Sequence, residues 1–326
     1  MRQFSYVRAE NATQAVKAKA TQANAFLAGG STLIDLVKLD VMQPDTLVDI
    51  NSLPLYDIEK LKDGRLKIGA LVTNNDLAWH PEVKSHYAVL SEALLSGAST
   101  SLRNKATTGG NVMQKVRCPY YRDGVSPCNK RAPGSGCSAI EGNNRSVHAV
   151  LGTSEHCIAS HPSDMCVAMA AIGATILVSG PEGEREIPFT DFHLLPGSSP
   201  DEEHDLAPGE LITHVILDKP LPDNRSHYLK LRDRASYQFA LASSAVIVSL
   251  SGSTISDARI AMGGVGTKPW RAFEAEQSLK GKTPSQAAFE KAAAMAFASA
   301  KPQSQNGFKI PLGQQAIVRS LKTIIA

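Results

Sequence analysis

Short apolar runs alternate along the chain with clusters of turn-forming residues, and this pattern predicts a protein that mixes helices and strands. Runs rich in β-branched and aromatic residues predict strands at residues 3–8, 46–50, 56–62, 65–72, 174–179, 185–189 and 210–221, and further strands between residues 226 and 264. Apolar positions at helical spacing predict helices at residues 11–23, 87–96, 271–280, 284–301 and 312–325, and another that begins at Ser163 or Asp164. The expected fold class is therefore α+β.

The same pattern indicates where the chain divides. A proline-containing stretch at residues 220–224 interrupts it, and stretches of this composition commonly join domains. We therefore expect one domain over residues 1–222 and a second, α+β domain over residues 225–326. A chain of 326 residues is long enough for two domains with cores of their own.

Two Gly-Gly pairs are the first candidates for a binding site. The first lies in AFLAGGSTLIDLVKLD, residues 25–40, where Gly29 and Gly30 stand between an apolar strand and a predicted helix start. Thr32 and Asp35 have the spacing of a capping box at that start. Successive backbone N–H groups at such a turn can face one concavity, which suits a pyrophosphate. No Gly-Lys-Ser/Thr follows, so this is not a P-loop, and a plain tight turn is the alternative.

The second pair, Gly109 and Gly110, lies in SLRNKATTGGNV, residues 101–112, which the sequence predicts to be a loop. Thr107, Thr108 and Asn111 offer hydroxyl and amide groups to a phosphate or to a polar ring edge, and glycine lets the backbone approach closely. Two such elements in one domain favour a large cofactor that carries phosphate.

The segment from Lys115 to Ala159 carries four of the five cysteines. Its glycine, proline and asparagine residues leave no helical or strand period, so we expect a long ordered loop with a function. The spacing C-x9-C-x8-C-x19-C lacks the close cysteine pairs of zinc sites. Four widely spaced thiolates suit a [4Fe–4S] cluster, whose charge the nearby basic residues would offset. The predicted ligands are Cys118, Cys128, Cys137 and Cys157.

Alternatives stay open for these cysteines. They could form two disulfides or remain four inert thiols, although a total of five weakens a purely disulfide framework. The fifth, Cys166, lies in the first turn of an apolar helix, where a free cysteine commonly acts as a small buried side chain. We therefore exclude Cys166 from the ligand set. The competing assignment exchanges the roles of Cys157 and Cys166.

Composition narrows the classes of function. The net charge of +3 is spread along the chain, which predicts no nucleic-acid-binding surface. No apolar run approaches the roughly 18 residues that span a bilayer, and the N-terminal residues lack the apolar core of a signal peptide. The residues alone therefore predict a protein without a membrane span, either intracellular or exported by a route that the sequence does not encode.

Five motifs, taken in order, carry a resemblance to a known family. They are FLAGGSTLIDLVKL, ATTGGN, HPSDMCVAMAAIGA, YLKLRDRASYQFALASSA and GGVGTKPWR. Together they resemble the FAD-binding subunit of the xanthine dehydrogenase family of molybdenum hydroxylases, over essentially the whole chain. The cysteine segment, inserted between the second and third motifs at residues 113–160, resembles that of the medium subunit of bacterial periplasmic aldehyde oxidoreductases, which also binds a [4Fe–4S] cluster.

The resemblance implies a fold and two cofactors, FAD and a [4Fe–4S] cluster. The fold would be a two-part FAD-binding domain of the vanillyl-alcohol-oxidase type with an inserted iron–sulfur loop, followed by a C-terminal α+β domain like that of CO dehydrogenase flavoproteins. Lys230 would lie near the isoalloxazine ring, with a solvated charge on a strand as the alternative. The other FAD-binding residues would be Phe26, Leu27, Ala28, Gly29, Gly30, Ser31, Thr32, Leu33 and Ile34 around the pyrophosphate, Thr107, Thr108, Gly110 and Asn111 at the flavin, and Ser163 and Asp164 at the ribityl or adenosine side.

The resemblance also implies a division of labour within a heterotrimer. This chain has no motif for molybdopterin or for [2Fe–2S] clusters, so it would contain no catalytic residue. A large subunit would oxidise an aldehyde with water at molybdenum. A small subunit with two [2Fe–2S] clusters would pass the electrons to FAD on this chain, and an external acceptor would then take them.

Other outcomes remain as alternatives. We expect the complex in the periplasm, co-exported with a partner that carries a signal, and the cytoplasm is the alternative compartment. The chain could instead belong to another molybdenum hydroxylase, of the hydroxybenzoyl-CoA reductase or xanthine dehydrogenase type. A non-enzymatic binding protein whose loop is held by disulfides is the alternative from a different class.

Overall fold

Three sheets follow one another along the chain in a computed structural model that describes residues 1–19, 21 and 23–325. The first region contains β1 (Ser5–Arg8), α1 (Ala12–Ala18), β2 (Asn24–Leu27), α2 (Leu33–Lys38) and β3 (Thr46–Asp49). Its strands form a parallel sheet in the order β1-β3-β2. Asn11 caps α1 by accepting a hydrogen bond from the Gln14 amide at 2.9 Å. Of the helix predicted over residues 11–23, Ala20 and Gln22 lie outside the described residues.

The second region holds a larger antiparallel sheet. Its elements are β4 (Ile58–Lys60), β5 (Leu66–Gly69), α3 (Asn74–Trp79), α4 (Pro81–His86), α5 (Ala88–Ser96), α6 (Thr100–Arg103), α7 (Thr108–Val112), α8 (Pro119–Arg122), α9 (Ser138–Glu141), α10 (Asp164–Ile172), β6 (Ala174–Gly180), β7 (Gly183–Pro188), α11 (Phe189–Phe192) and β8 (Leu211–Leu217). The strand order is β4-β5-β8-β6-β7. The hairpins predicted around Asp63-Gly64 and at residues 181–183 are both present.

The third region begins after residue 224 and forms a sheet covered by helices. Its elements are β9 (Arg225–Leu231), β10 (Ala242–Ser251), β11 (Thr254–Gly263), β12 (Trp270–Arg271), α12 (Phe273–Leu279), α13 (Gln286–Ala296) and α14 (Lys309–Ile325). The antiparallel strand order is β12-β11-β10-β9. Apolar side chains of β10 and β11 pack against the three helices in one core, which includes Val246, Ile260, Phe289 and Leu321. Within the described residues, no helix has the length and apolar character needed to cross a membrane.

Helix α10 is buried on all sides between α5 and the third sheet. Ser163, rather than Asp164, is its cap, because the Ser163 hydroxyl accepts a hydrogen bond from the Cys166 amide at 3.1 Å. Every side chain from Met165 to Ile172 is buried, since the helix packs against α5 as well as against β10 and β11. A helix in such a place has no polar face, which is why its sequence is apolar throughout.

Helix α7 corrects the prediction of a loop at residues 101–112. The Thr107 hydroxyl accepts a hydrogen bond from the Gly110 amide at 3.2 Å and so caps a short helix that contains both glycines. A good N-cap satisfies free amide groups at a helix start and offsets the low helix propensity of glycine. The cysteine segment, by contrast, is irregular as predicted, apart from the one-turn helices α8 and α9.

A glycine-lined cavity and a four-cysteine pocket

An open cavity of about 410 Å³ lies between the first sheet and the start of β8. The turn that joins β2 to α2 forms one wall, the first residues of α7 form a second, and residues 206–212 form a third. Both Gly-Gly elements therefore reach the same space. We expected both elements to serve one large cofactor, although about 80 residues separate them in the sequence.

Glycine is needed at the first element for a contact between two backbones. A Cβ atom at position 29 would lie 2.0 Å from the carbonyl oxygen of Lys105 and 3.3 Å from the Cα of Ala106. Gly29 thus lets the β2–α2 turn lie directly on the chain that leads into α7. Gly30 adopts φ +72°, a left-handed conformation that favours glycine. The Asn51 amide also supports the turn, since its Nδ2 donates to the carbonyls of Leu27 and Ala28 at 3.3 and 3.2 Å.

Hydrogen bonds to the chain after β5 anchor the second element. The Thr108 amide and hydroxyl both donate to the Val72 carbonyl, at 2.8 and 3.0 Å, and the Gly109 amide donates to the Ala70 carbonyl at 2.9 Å. These bonds hold α7 on the chain that follows β5. Gly110 is left exposed beside the cavity. Thr108 is buried, and its hydroxyl positions the helix rather than facing the cavity.

The predicted FAD-binding residues fall into two groups. One group lines the cavity and comprises Phe26, Ala28, Gly29, Gly30, Ser31, Thr32, Leu33, Thr107 and Gly110. The other lies outside the cavity lining and comprises Leu27, Ile34, Thr108, Asn111, Ser163, Asp164 and Lys230. Asn111 and Ser163 bind each other, with the serine hydroxyl donating to Asn111 Oδ1 at 2.7 Å, and so fasten α7 to α10.

Lys230 is neither beside the cavity nor a solvated charge. Its ammonium group donates to Asp164 Oδ2 at 2.7 Å, and the two side chains are only 4% and 9% exposed. The Tyr228 hydroxyl donates to the other oxygen of Asp164 at 2.6 Å. Two residues of β9 therefore hold the first residue of α10, and this buried pair joins the second region to the third.

Other cavity residues were not predicted from the sequence. Lys115, which follows α7, and Glu210, at the end of the polar loop before β8, both line the cavity. Arg185 holds Glu210 in place with two bonds of 2.6 and 2.8 Å. Asp35 forms no capping box with Thr32 and instead accepts a hydrogen bond from Arg122 of the cysteine segment at 2.7 Å. Asp35 therefore pairs with Arg122, which is 87 residues away in the sequence, instead of forming the predicted cap.

The four predicted cysteine ligands meet at one small pocket. Its lining includes Cys118, Cys128, Cys137 and Cys157, and all are free thiols. Cys166 is not among the lining residues and is buried within α10. Four thiols that line one pocket are a ligand set that a [4Fe–4S] cluster uses. The four cysteine thiols therefore fit the [4Fe–4S] cluster predicted for this segment.

Hydrogen bonds between side chains and backbone give the pocket its shape. Residues 127–138 fold back on themselves, with Cys128 opposite Cys137 and the Asn129 amide donating to the Gly136 carbonyl at 2.7 Å. The Arg131 guanidinium donates to the carbonyls of Tyr120 and Tyr121 at 2.7 and 2.8 Å, and also to that of Ser126. Arg131 thereby ties this fold-back to α8, whose N-cap is Cys118.

Burial affects the protonation of Cys118 and Cys157. It raises the pKa of Cys118 to about 12, and it also raises the pKa of Cys157, against the opposing charge of Lys130. His148 lies 3.3 Å from the Cys118 sulfur through its Nε2 atom. Burial also lowers the pKa of His148 to about 4, so the imidazole is neutral at pH 7. Metal binding at this pocket would have to displace thiol protons.

A second group of ligand-type atoms lies around α10. Atoms of His161, Cys166 and His193 approach within 4.8 Å of one another, and all three residues are buried. The Ser163 amide donates to His161 Nδ1 at 3.3 Å, which places the imidazole proton on Nε2 and leaves that nitrogen no free electron pair. Burial keeps the group uncharged, lowering the pKa of His193 to about 4 and raising that of Cys166 to about 12. This arrangement is a neutral polar cluster in the core.

Comparison with protein families adds to this geometry. Residues 2–220 match the family described as the FAD binding domain in molybdopterin dehydrogenase. Residues 227–323 match the CO dehydrogenase flavoprotein C-terminal domain. The predicted fold class, an FAD-binding domain followed by a C-terminal α+β domain of the CO dehydrogenase flavoprotein kind, is thereby confirmed.

Individual proteins similar to the chain cover nearly its whole length. It is 48% identical over 323 residues to the aldehyde oxidoreductase FAD-binding subunit PaoB of Escherichia coli strain K12, with 98% of both chains covered. It is 30% identical over 281 residues to the glyceraldehyde dehydrogenase medium chain of Sulfolobus acidocaldarius, covering 86% of this chain and 82% of that one. A carbon monoxide dehydrogenase structure from Hydrogenophaga pseudoflava, which lacks the Mo-pyranopterin moiety of its cofactor, superposes with a TM-score of 0.78 at 25% identity, covering 99% and 98% of the two chains.

Proposed function

The chain belongs to the family of FAD-binding domains of molybdopterin dehydrogenases, and from this premise we propose that it is the FAD-binding, electron-transferring subunit of a molybdenum-containing aldehyde oxidoreductase. The observation that carries the proposal is that one chain presents both a glycine-lined cavity and a pocket walled by four free thiols. Near full-length similarity to an aldehyde oxidoreductase subunit supports the choice of substrate class over the alternatives of the hydroxybenzoyl-CoA reductase or xanthine dehydrogenase type.

The residues of the cavity fit a flavin dinucleotide. Backbone groups at Gly29, Gly30, Ser31 and Thr32 would receive the pyrophosphate, and Thr107 and Gly110 at the start of α7 would lie against the rest of the cofactor. When bound, FAD supplies the ability to accept electrons singly and to deliver one or two. The chain contributes position and electrostatics.

The four-cysteine pocket is proposed to hold a [4Fe–4S] cluster through Cys118, Cys128, Cys137 and Cys157. Support comes from their convergence on one pocket and from the absence of disulfides among the described cysteines. When bound, such a cluster supplies one-electron transfer at a potential set by its surroundings. A disulfide-held binding protein, the alternative from another class, would need the pairs that these cysteines lack.

The proposal extends to partners, domains and compartment. A small subunit with two [2Fe–2S] clusters and a large molybdenum subunit would complete a heterotrimer that delivers electrons to an external acceptor. Residues 1–222 would form the FAD-binding domain and residues 225–326 the second domain, a division supported by the family matches. We place the complex in the periplasm. Copurification of three subunits and cell fractionation test these points, and a complex found only in the cytoplasm would reverse the last.

Cysteine variants of the full chain test the cluster directly. Cys128→Ser should lose or degrade the cluster, because a cluster bound only by cysteine needs four thiolates. Cys166→Ser is the matched control and should keep about four irons per chain, since Cys166 lies outside the pocket. Iron analysis and the EPR signal of the reduced cluster give the readout. A wild-type chain with bound FAD and no iron would refute the cluster, and loss of iron in Cys166→Ser alone would exchange the ligands.

A further inference from the structure

Three charged side chains form a largely buried bridge between the cavity and the cysteine pocket. Lys115 lines the cavity, and Lys130 lines the pocket. Glu203 lies between them and accepts hydrogen bonds from both, through Oε2 from Lys115 and through Oε1 from Lys130 at 3.1 Å. The side chains are 23%, 9% and 10% exposed for Lys115, Lys130 and Glu203. One carboxylate therefore links the walls of two separate sites.

The charges in this bridge do not cancel. Burial by itself would raise the pKa of Glu203, but the ammonium groups of Lys115 and Lys130 hold it well below its usual range. Burial lowers the pKa of neighbouring His204 well below its ordinary value, so this imidazole is neutral at pH 7. One carboxylate thus faces two ammonium groups, which leaves a local excess of one positive charge.

Buried ions normally persist only where paired groups stabilise them, and in this bridge each charged group has a defined partner. Lys130 has a second partner, the Pro200 carbonyl, at 2.7 Å. Glu203 and Pro200 both belong to the loop between α11 and β8, which contributes neither a predicted FAD-binding residue nor a cysteine ligand. The position of both ammonium groups therefore depends on residues 200–203, a part of this loop that lines neither site.

We propose that Glu203 is a positioning residue that holds one ammonium group at each cofactor site and so sets the reduction potentials of both cofactors. This proposal rests on the proposed function. A cation beside a redox centre stabilises the reduced form, which carries more negative charge, and the effect is strong where water is excluded. The carboxylate of Glu203 moderates this effect at both sites at once. Lys115 acts at the flavin, and Lys130 acts at the cluster.

The test uses the full chain with both cofactors bound and compares Glu203→Gln with Glu202→Gln. The two variants lose the same charge from adjacent residues, but Glu202 is exposed. In Glu203→Gln both midpoint potentials should shift upward, because the two ammonium groups are no longer neutralised. In Glu202→Gln neither should move. Flavin absorbance in a spectroelectrochemical titration and cluster EPR in the same titration report the two potentials separately.

Lysine variants keep the proposal testable even where Glu203→Gln folds poorly. Lys115→Met should lower mainly the flavin potential, and Lys130→Met mainly the cluster potential. Equal shifts of both potentials in each variant, or no shift in any of them, would overturn the role of Glu203 and leave the cofactor assignment intact. A wild-type chain that binds FAD without iron would instead remove the proposed cluster, and this inference with it.

Discussion

The glycine-lined cavity and the cysteine pocket are built in opposite ways. The cavity is shaped by backbone segments that touch because side chains are missing, as where Gly29 lies on the carbonyl of Lys105. The pocket is shaped by side chains that reach across an irregular segment. Arg131, for example, donates to two carbonyls of α8 and to the carbonyl of Ser126, which follows that helix. We therefore expect the cavity to lose its cofactor when atoms are added to its wall, and the pocket to lose its cluster when atoms are removed.

The largest effect is expected from adding one methyl group to the cavity wall. In Gly29→Ala the new Cβ would lie 2.0 Å from the Lys105 oxygen, so the backbone must move. Overpacking of this kind costs about 3 kcal/mol of unfolding free energy, and FAD should be largely lost. The FAD-to-protein ratio after gel filtration and urea unfolding measure both effects.

A matched glycine shows whether the contact itself is responsible. Gly307→Ala should behave like the wild type, because the added Cβ would meet only the Cβ of Pro302, at 3.7 Å. Full FAD occupancy and unchanged stability in Gly29→Ala would show that the two glycine elements need not touch.

A smaller and more local effect is expected from removing atoms at the pocket. Arg131→Met deletes the donors to three backbone carbonyls, and hydrogen bonds from charged groups are worth about 2 kcal/mol each. We expect iron to be lost while FAD is retained. Arg145→Met, in the same segment but with a half-exposed side chain, should retain both. Simultaneous loss of FAD and iron in Arg131→Met would mean that the two sites are not built independently.

The sequence predicted local features well and distant ones poorly. The cap at Ser163 and the hairpin at Asp63-Gly64 depend on residues within four positions of each other, so a short window contains their cause. The burial of Lys230 and the bond between Asp35 and Arg122 could not be predicted, because the partners of these residues, Asp164 and Arg122, are far away in the chain. The convergence of four cysteines was predicted from chemistry, but the hydrogen bonds of Arg131 that shape the pocket follow no periodic signal.

The smallest effect concerns the join between the cysteine segment and the third region. Lys309 is fully buried and donates to the carbonyls of Ser146 and Gly264, both at 2.7 Å. Burial, helped by the charge of Arg145, lowers the pKa of Lys309 to about 7. The ordinary value in an unfolded chain is about 10.4. Between these values the unfolded chain binds more protons, so stability due to Lys309 rises with pH.

Urea unfolding at pH 7 and pH 8 checks this sign. The stability of the wild type, measured relative to Lys309→Met, should increase by about 1 kcal/mol between the two pH values. Lys301→Met, which removes an exposed lysine, should show no such change relative to the wild type. A difference between the wild type and Lys309→Met that is equal at both pH values would contradict the lowered pKa.

The backbone pairing between residues 150–161 and residues 265–267 has a consequence for the order of events during synthesis. The amides of Val150 and Leu151 both donate to the Val265 carbonyl, and the His161 amide donates to that of Gly266. These bonds fix the chain on both sides of Cys157, yet their acceptors are translated more than a hundred residues later. The last cysteine therefore cannot be fixed in place by these bonds until residues 265–267 have left the ribosome.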